Sequence, residues 1–310
     1  HECVILAAHL VKITGDRLNV MHSRDYPDNY WWALLIRWAL TIVHACWRRW
    51  SQINKCIAIN RDRQIRVVVD TSHLKNLNEF KNTVSLINDG FLNSAFDFLL
   101  MSSILRILAP KNWVLEDFKG IPRYKKSNQL LGSSVDKSFK GTLKTRIGHI
   151  PFRDVPGVGP VLSLLFSLYI SILPRLSQPE KSYAKQLPKP SNYFPLNFVE
   201  FIEKFSMNLL PATFGKDFKY YEGVASSNKY RKGRLFVTGF AHAVDENNFT
   251  VAHAMLNGER VVWCQHGSGY GVLDNAWSQA VNEYSTTAFL TWGWEKHGDF
   301  PGRFIKTPSP

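Results

Sequence analysis

The chain has 310 residues, 45% of them hydrophobic and 20% charged, which excludes a disordered or fibrous protein and leaves room for two domains of ordinary size. Lysine and arginine (38) outnumber aspartate and glutamate (25) for a formal net charge of +13, which favours an anionic partner: nucleic acid, a membrane surface or a phosphorylated small molecule. The four cysteines form no CxxC pair and no zinc-spaced set with histidine, so neither a disulfide framework nor a structural metal is expected and a reducing compartment fits.

The chain opens on His1-Glu2-Cys3 with no basic leader before an apolar run, so no signal peptide is expected, and the lack of an initiating Met points to an internal fragment. The stretch from Cys3 to about Trp50 reads as two helices around a polar turn at Ser23–Asp28, with Asp28 or Asn29 capping the second. Tyr30 to Trp38 is apolar nearly all round, which predicts a buried helix. Arg66–Asp70 is a short β-branched run, predicted as a parallel strand, and Asn78 to Leu108 as one or two amphipathic helices.

Between about Lys111 and Pro160 periodicity fails and a long loop is expected. Gly157-Val158-Gly159 lacks both the third glycine of a dinucleotide fingerprint and the Lys-Ser/Thr of a P-loop, and is read as a turn into an apolar helix from Val161. That run, to Leu173, is too short for the ~20 residues of a membrane span, and Arg37 interrupts the aromatic stretch Tyr30–Trp47; a soluble protein follows. Ser177 to Pro195 is a second irregular stretch.

Beyond Arg231 a β-α-β order emerges: a strand over Arg234–Gly239, a helix from Asp245 (as N-cap) to Leu256 stopped by Asn257-Gly258, and a strand over Arg260–Gln265. The two strands are expected to be parallel neighbours, with ligand sites beyond their carboxyl ends. The domain expectation is a mainly helical α/β region over 1–225 and the β-α-β unit over 226–310.

Gln265-His266-Gly267-Ser268-Gly269-Tyr270-Gly271 falls at such a strand end. Its glycines let backbone N–H groups approach an anion, and a histidine there can act as acid or base, donate a hydrogen bond to a phosphate, or simply sit in a glycine-rich turn. Downstream, Glu283 precedes Phe289-Leu290-Thr291-Trp292-Gly293-Trp294, a second strand exit opening on the same crevice. Glu283 can orient His266, and Trp292 or Trp294 can stack on a sugar or base, one of them at least being a core aromatic. Acidic residues interleave the basic clusters, so no continuous nucleic-acid groove and no nucleic-acid partner is expected.

Three stretches together resemble the LIC12162 family of transferases from surface-polysaccharide gene clusters: His22 with Tyr30-Trp31 and Trp38, the Gln265–Gly271 segment, and Glu283 followed by Leu290–Trp294. The resemblance implies a GT-B-like α/β architecture with a Rossmann-like parallel sheet and a large helical component. It implies a glycosyltransferase moving a sugar from a nucleotide-activated donor to a surface-glycan precursor. No metal and no cofactor beyond the nucleotide sugar is implied; the acceptor would be a glycan or lipid-linked glycan, and the setting cytoplasmic, with possible peripheral contact at the inner membrane face. His266 and Glu283 would be catalytic, and Gln265, Gly267, Ser268, Gly269, Tyr270, Trp292 and Trp294 would bind ligand. The chain departs from the pattern at Ile36-Arg37, where Gly-Pro is expected, and at Thr286-Thr287, where an acidic residue often stands. It also ends soon after the last motif, so the second lobe is expected to be truncated, and a degenerate fragment that binds glycan or another anion without turnover is the alternative.

Overall fold

The computed structural model describes residues 2–70, 80–118, 188–230, 235–238, 245–265, 270–271, 278–296 and 303–307. The expected turn at Gly157–Gly159 and helix from Val161 lie outside them, as does most of the irregular stretch from Ser177.

Two helices dominate the first part. Helix α1 (Glu2–His22) and helix α2 (Asp28–Ile59) lie on either side of the expected turn. Asp28 is not the cap: Pro27 holds that position in an extended conformation, and its carbonyl accepts from the amides of Tyr30 and Trp31. The Asp28 carboxylate lies instead 3.7 Å from the Lys12 ammonium of α1. Residues Tyr30 to Leu40 are all buried, as an apolar helical surface with no polar stripe must be. Gly15 lets the helices approach closely, since a Cβ there would stand 2.7 Å from the Trp31 ring.

Strand β1 (Arg66–Val69) pairs in parallel with strand β2 (Val114–Asp117). Strand β2 falls in the stretch expected to be a loop. It has four residues and its side chains are mostly exposed, so it carries neither alternation nor a buried run. Between them come a single helical turn α3 (Thr83–Ser85) with a capping box on Asn82, a wider π-turn at Leu86–Phe91, and helix α4 (Ser94–Leu108), capped by Asn93. Helices α5 (Leu196–Phe205) and α6 (Phe218–Ser226) follow.

The last part is a four-stranded parallel sheet in chain order, of β3 (Leu235–Thr238), β4 (Arg260–Cys264), β5 (Ala288–Trp292) and β6 (Phe304–Thr307). Helix α7 (Asp245–Leu256) joins β3 to β4 as expected, and Gly258, at φ 73°, supplies the left-handed residue that stops it. Asp245 is the first helical residue, not a cap on its own helix. Its Oδ2 accepts the Thr83 amide at 2.6 Å, so it satisfies the first N–H of α3 beside the Asn82 cap. Helix α8 (Ser278–Tyr284) leads into β5.

One apolar core runs from Leu6 and Trp31 through Phe198, Phe218 and Phe249 to Trp263 and Phe289, so the helical part and the inner face of the sheet share an interior. The opposite sheet face carries Val262, Ala288 and Leu290, also buried. The architecture is mixed α/β with parallel sheets. Among the described residues no single helix is long and apolar enough to cross a membrane; Thr83–Phe91 and Ser94–Leu108 meet such criteria only as a pair bent by 86°.

Candidate functional site

The early stretch, His22 with Tyr30-Trp31 and Trp38, serves packing. The His22 ring stacks on Phe218 at 4.2 Å, and its Nε2 lies 3.0 Å from the Phe214 carbonyl. The Tyr30 hydroxyl meets His253 Nε2 at 3.3 Å, Trp31 Nε1 donates to Asn19, and Trp38 Nε1 donates to the Leu209 carbonyl at 3.0 Å. Burial pulls both His22 and His253 below the ordinary histidine value. Beside them, Arg24 makes two hydrogen bonds to the Glu222 carboxylate at 2.6 and 2.7 Å, and the Tyr26 hydroxyl donates to it at 2.5 Å. Burial alone would push Glu222 up; these donors outweigh it and hold the carboxyl below its usual range. Arg37, where the family pattern departs, is buried in α2 and acts electrostatically on Asp245.

The strand exits differ. Because β4 and β5 are parallel neighbours, their carboxyl ends open on one edge, where ligand sites of open α/β sheets gather. Gln265 follows β4 directly. Its amide N–H donates to the Leu290 carbonyl at 2.8 Å, extending the ladder. Its side-chain oxygen accepts two hydrogen bonds of 2.8 Å, from the Trp292 backbone N–H and from Trp294 Nε1. Trp294 is thereby turned back over the sheet end. Its ring lies 5.1 Å from Phe304 and against Gly271, where a Cβ would come within 2.7 Å of it. Gly271 also stands at φ 72°, so both backbone and space require glycine. The Thr291 hydroxyl donates to the Trp294 carbonyl and fixes the turn at Gly293 (φ 87°).

Tyr270 is buried, stacked on Phe289 at 5.4 Å and edge-on to Tyr284 at 6.3 Å. Burial, the charge of Glu283 and a hydrogen bond to Glu283 push its phenol well above the ordinary range, so it donates to the Glu283 carboxylate and stays neutral. Glu283, on α8, is fully buried. Cys264, at the last position of β4, is pushed up to about 12 by burial and then by Glu283, which leaves it no thiolate character at neutral pH. Thr286 and Thr287 lead into β5: the Thr286 hydroxyl donates to the Glu283 carbonyl, while the Thr287 hydroxyl accepts from the Val261 amide.

Of the residues singled out from sequence, the structure brings Gln265, Trp292 and Trp294 together, and Tyr270 together with Glu283. His266, Gly267, Ser268 and Gly269 lie outside the described residues. Sequence reasoning gave no role to Cys264, read Gly271 only among the glycines that let the backbone approach an anion, and read Thr291 only as part of the second strand exit. The glycine after an aromatic residue was the visible signal for Gly271; a threonine inside a strand gives none for its donor role. A groove lined by Ile107, Glu200, Phe201 and Lys204 belongs to α4 and α5 and includes none of these residues. Among the described residues no group of three or more His, Cys, Asp or Glu side chains is placed to hold a metal ion.

A parallel α/β sheet delivering buried polar and aromatic side chains to the ends of adjacent strands defines a protein of the open-sheet α/β class. The chain belongs to the LIC12162 family of transferases, whose family model matches residues 2–310. Comparison with curated proteins and with solved structures gives no significant match.

Proposed function

We propose that this transferase moves a glycosyl group from a nucleotide-activated sugar to a bacterial surface-polysaccharide precursor, with a GT-B-like arrangement of its sheet. The observation that supports this reading best is the pairing of β4 and β5 exits through one side chain, Gln265, on the edge where parallel sheets receive ligands. In this reading His266 follows that exit and serves as general acid or base or as a donor to the phosphates. Tyr270 and Glu283 form the polar floor beneath it, and the half-buried Trp292 is the aromatic surface for the sugar or base. The excess of positive charge suits an anionic donor and an acceptor held at the cytoplasmic membrane face.

The test is a thermal-stabilisation screen of the protein with CMP-, UDP-, GDP- and CDP-linked sugars, because a ligand that binds only the folded state raises the melting temperature. One nucleotide class is expected to stabilise; no stabilisation by any of the four overturns the reading. With the donor found, His266→Ala is expected to lower transfer by roughly 10²–10⁴-fold while the melting temperature holds. Loss of fold with full activity in the folded remainder would make His266 structural.

A further inference from the structure

Two tryptophans stand at the end of β5, and their surroundings assign them different work. Trp294 is spent internally. Its indole N–H is committed to Gln265, its ring fills the space that Gly271 leaves open, and it packs on Phe304, Phe289 and Tyr284. The Gln265 oxygen is equally committed: the residue is buried, and that oxygen takes both the Trp292 amide and the Trp294 indole. A carbonyl oxygen has two lone pairs, so this acceptor is filled. Trp292 differs. It is half-buried, its backbone N–H alone is tied to Gln265, and its ring stacks on no other aromatic side chain among the described residues.

We infer that Gln265 and Trp294 are positioning residues that lock the β4 and β5 exits in register without touching ligand, leaving Trp292 as the ligand-facing ring. Gln265 sits at one end of the segment and Gly271 at the other, and both are held against the same indole. One side chain therefore bridges the end of β4 and Gly271. Rigid support of this kind holds contact residues within the fraction of an ångström that binding and chemistry require. This inference rests on the proposed site at the strand exits.

The experiment has two arms. In the first, the Trp294 indole N–H of ¹⁵N-labelled protein is assigned by its loss in Trp294→Phe. Gln265→Met, which keeps the volume but removes the acceptor, is expected to move that signal upfield and speed its exchange with solvent. Gln265→Glu, which keeps an acceptor oxygen, is expected to restore it. An indole signal unmoved by Gln265→Met overturns the lock. In the second arm, the affinity for the nucleotide sugar found in the screen is measured. Gln265→Met and Trp294→Phe are expected to weaken it by about tenfold to 10²-fold, with Gln265→Glu restoring it. Trp292→Ala is expected to weaken it without moving the Trp294 signal. If Gln265→Glu restores the indole signal but not the affinity, Gln265 touches the ligand and the inference fails. If the unaltered protein binds none of the four nucleotide classes, the functional reading fails, while the first arm still decides the lock. Should Gln265→Met not fold, the first arm is read on the unaltered protein, where a Trp294 indole N–H with a random-coil shift and fast solvent exchange overturns the lock. Trp294→Phe, which removes the N–H and part of the ring, then carries the affinity arm.

Discussion

The α1–α2 pair and the β4–β5 exits are both built on a tryptophan pressed against a glycine, Trp31 on Gly15 and Trp294 on Gly271. Between the helices the glycine sits in a helix and serves only close approach. At the sheet end it also stands at positive φ, and the tryptophan it meets is tethered by a side chain from the neighbouring strand. The polar atoms of the first region, on His22, Tyr30 and Trp38, are met inside the core by the Phe214 carbonyl, His253 and the Leu209 carbonyl. Those of the second tie strand ends together at the carboxyl edge of the sheet. Both stretches carry the family resemblance, yet one records packing and the other lies at the sheet edge of the proposed site. A shared motif is therefore not evidence of a site until its polar atoms have been traced to their partners.

The largest expected effect lies on the packing side. Trp38 is fully buried, and Trp38→Ala is expected to cost about 3–5 kcal/mol in urea unfolding, through the cavity and the Leu209 carbonyl left unmet. A cost below about 1 kcal/mol, the range of surface positions, would break the assignment of this stretch to packing.

Gly15→Ala and Gly271→Ala sharpen the contrast, each at about 1–3 kcal/mol from overpacking or left-handed strain. Only Gly271→Ala is expected to change the Trp294 indole signal and ligand affinity. Equal effects of both on affinity would erase the distinction between the regions.

The pH dependence of stability comes next. His22 and His253 are buried neutral, with values lowered in the folded state, so their contribution is present above about pH 6.5 and is lost as pH falls through the lowered values. Burial raises Asp245 and Glu246, so their contribution is present below the usual carboxylate range and is lost as pH rises through the raised values. Urea midpoints across pH 4–9 are expected to show an acid limb that His22→Gln with His253→Gln flattens. Asp245→Asn with Glu246→Gln is expected to flatten the opposing limb. An acid limb unchanged in the histidine variant would place the titration elsewhere.

The smallest effect belongs to neither region. Arg66 and Glu116 pair across β1 and β2 with largely exposed side chains, and Arg66→Ala is expected to change stability by less than about 1 kcal/mol. A larger loss would mean that the two-stranded sheet depends on this pair.

Much of the frame was legible in the chain itself. A helix apolar on every side must be buried, which fixed α2. A β-branched run, a helix stopped by Asn257-Gly258 and a second apolar run have few arrangements besides a parallel β-α-β unit, and β3, α7 and β4 follow that order. The strand β2 was hidden because a short exposed strand has no period to detect. Only the tertiary structure decided where polar side chains went. Asp245 looked like a cap for its own helix and instead accepts the first amide of α3, and Asp28 yielded its expected role to Pro27. Gln265 and Trp294 lie far apart in the chain and meet because parallel strands bring their carboxyl ends to one edge. Local sequence sets periodicity and backbone geometry; a hydrogen-bond partner from another element is set by packing, and no window of sequence contains it.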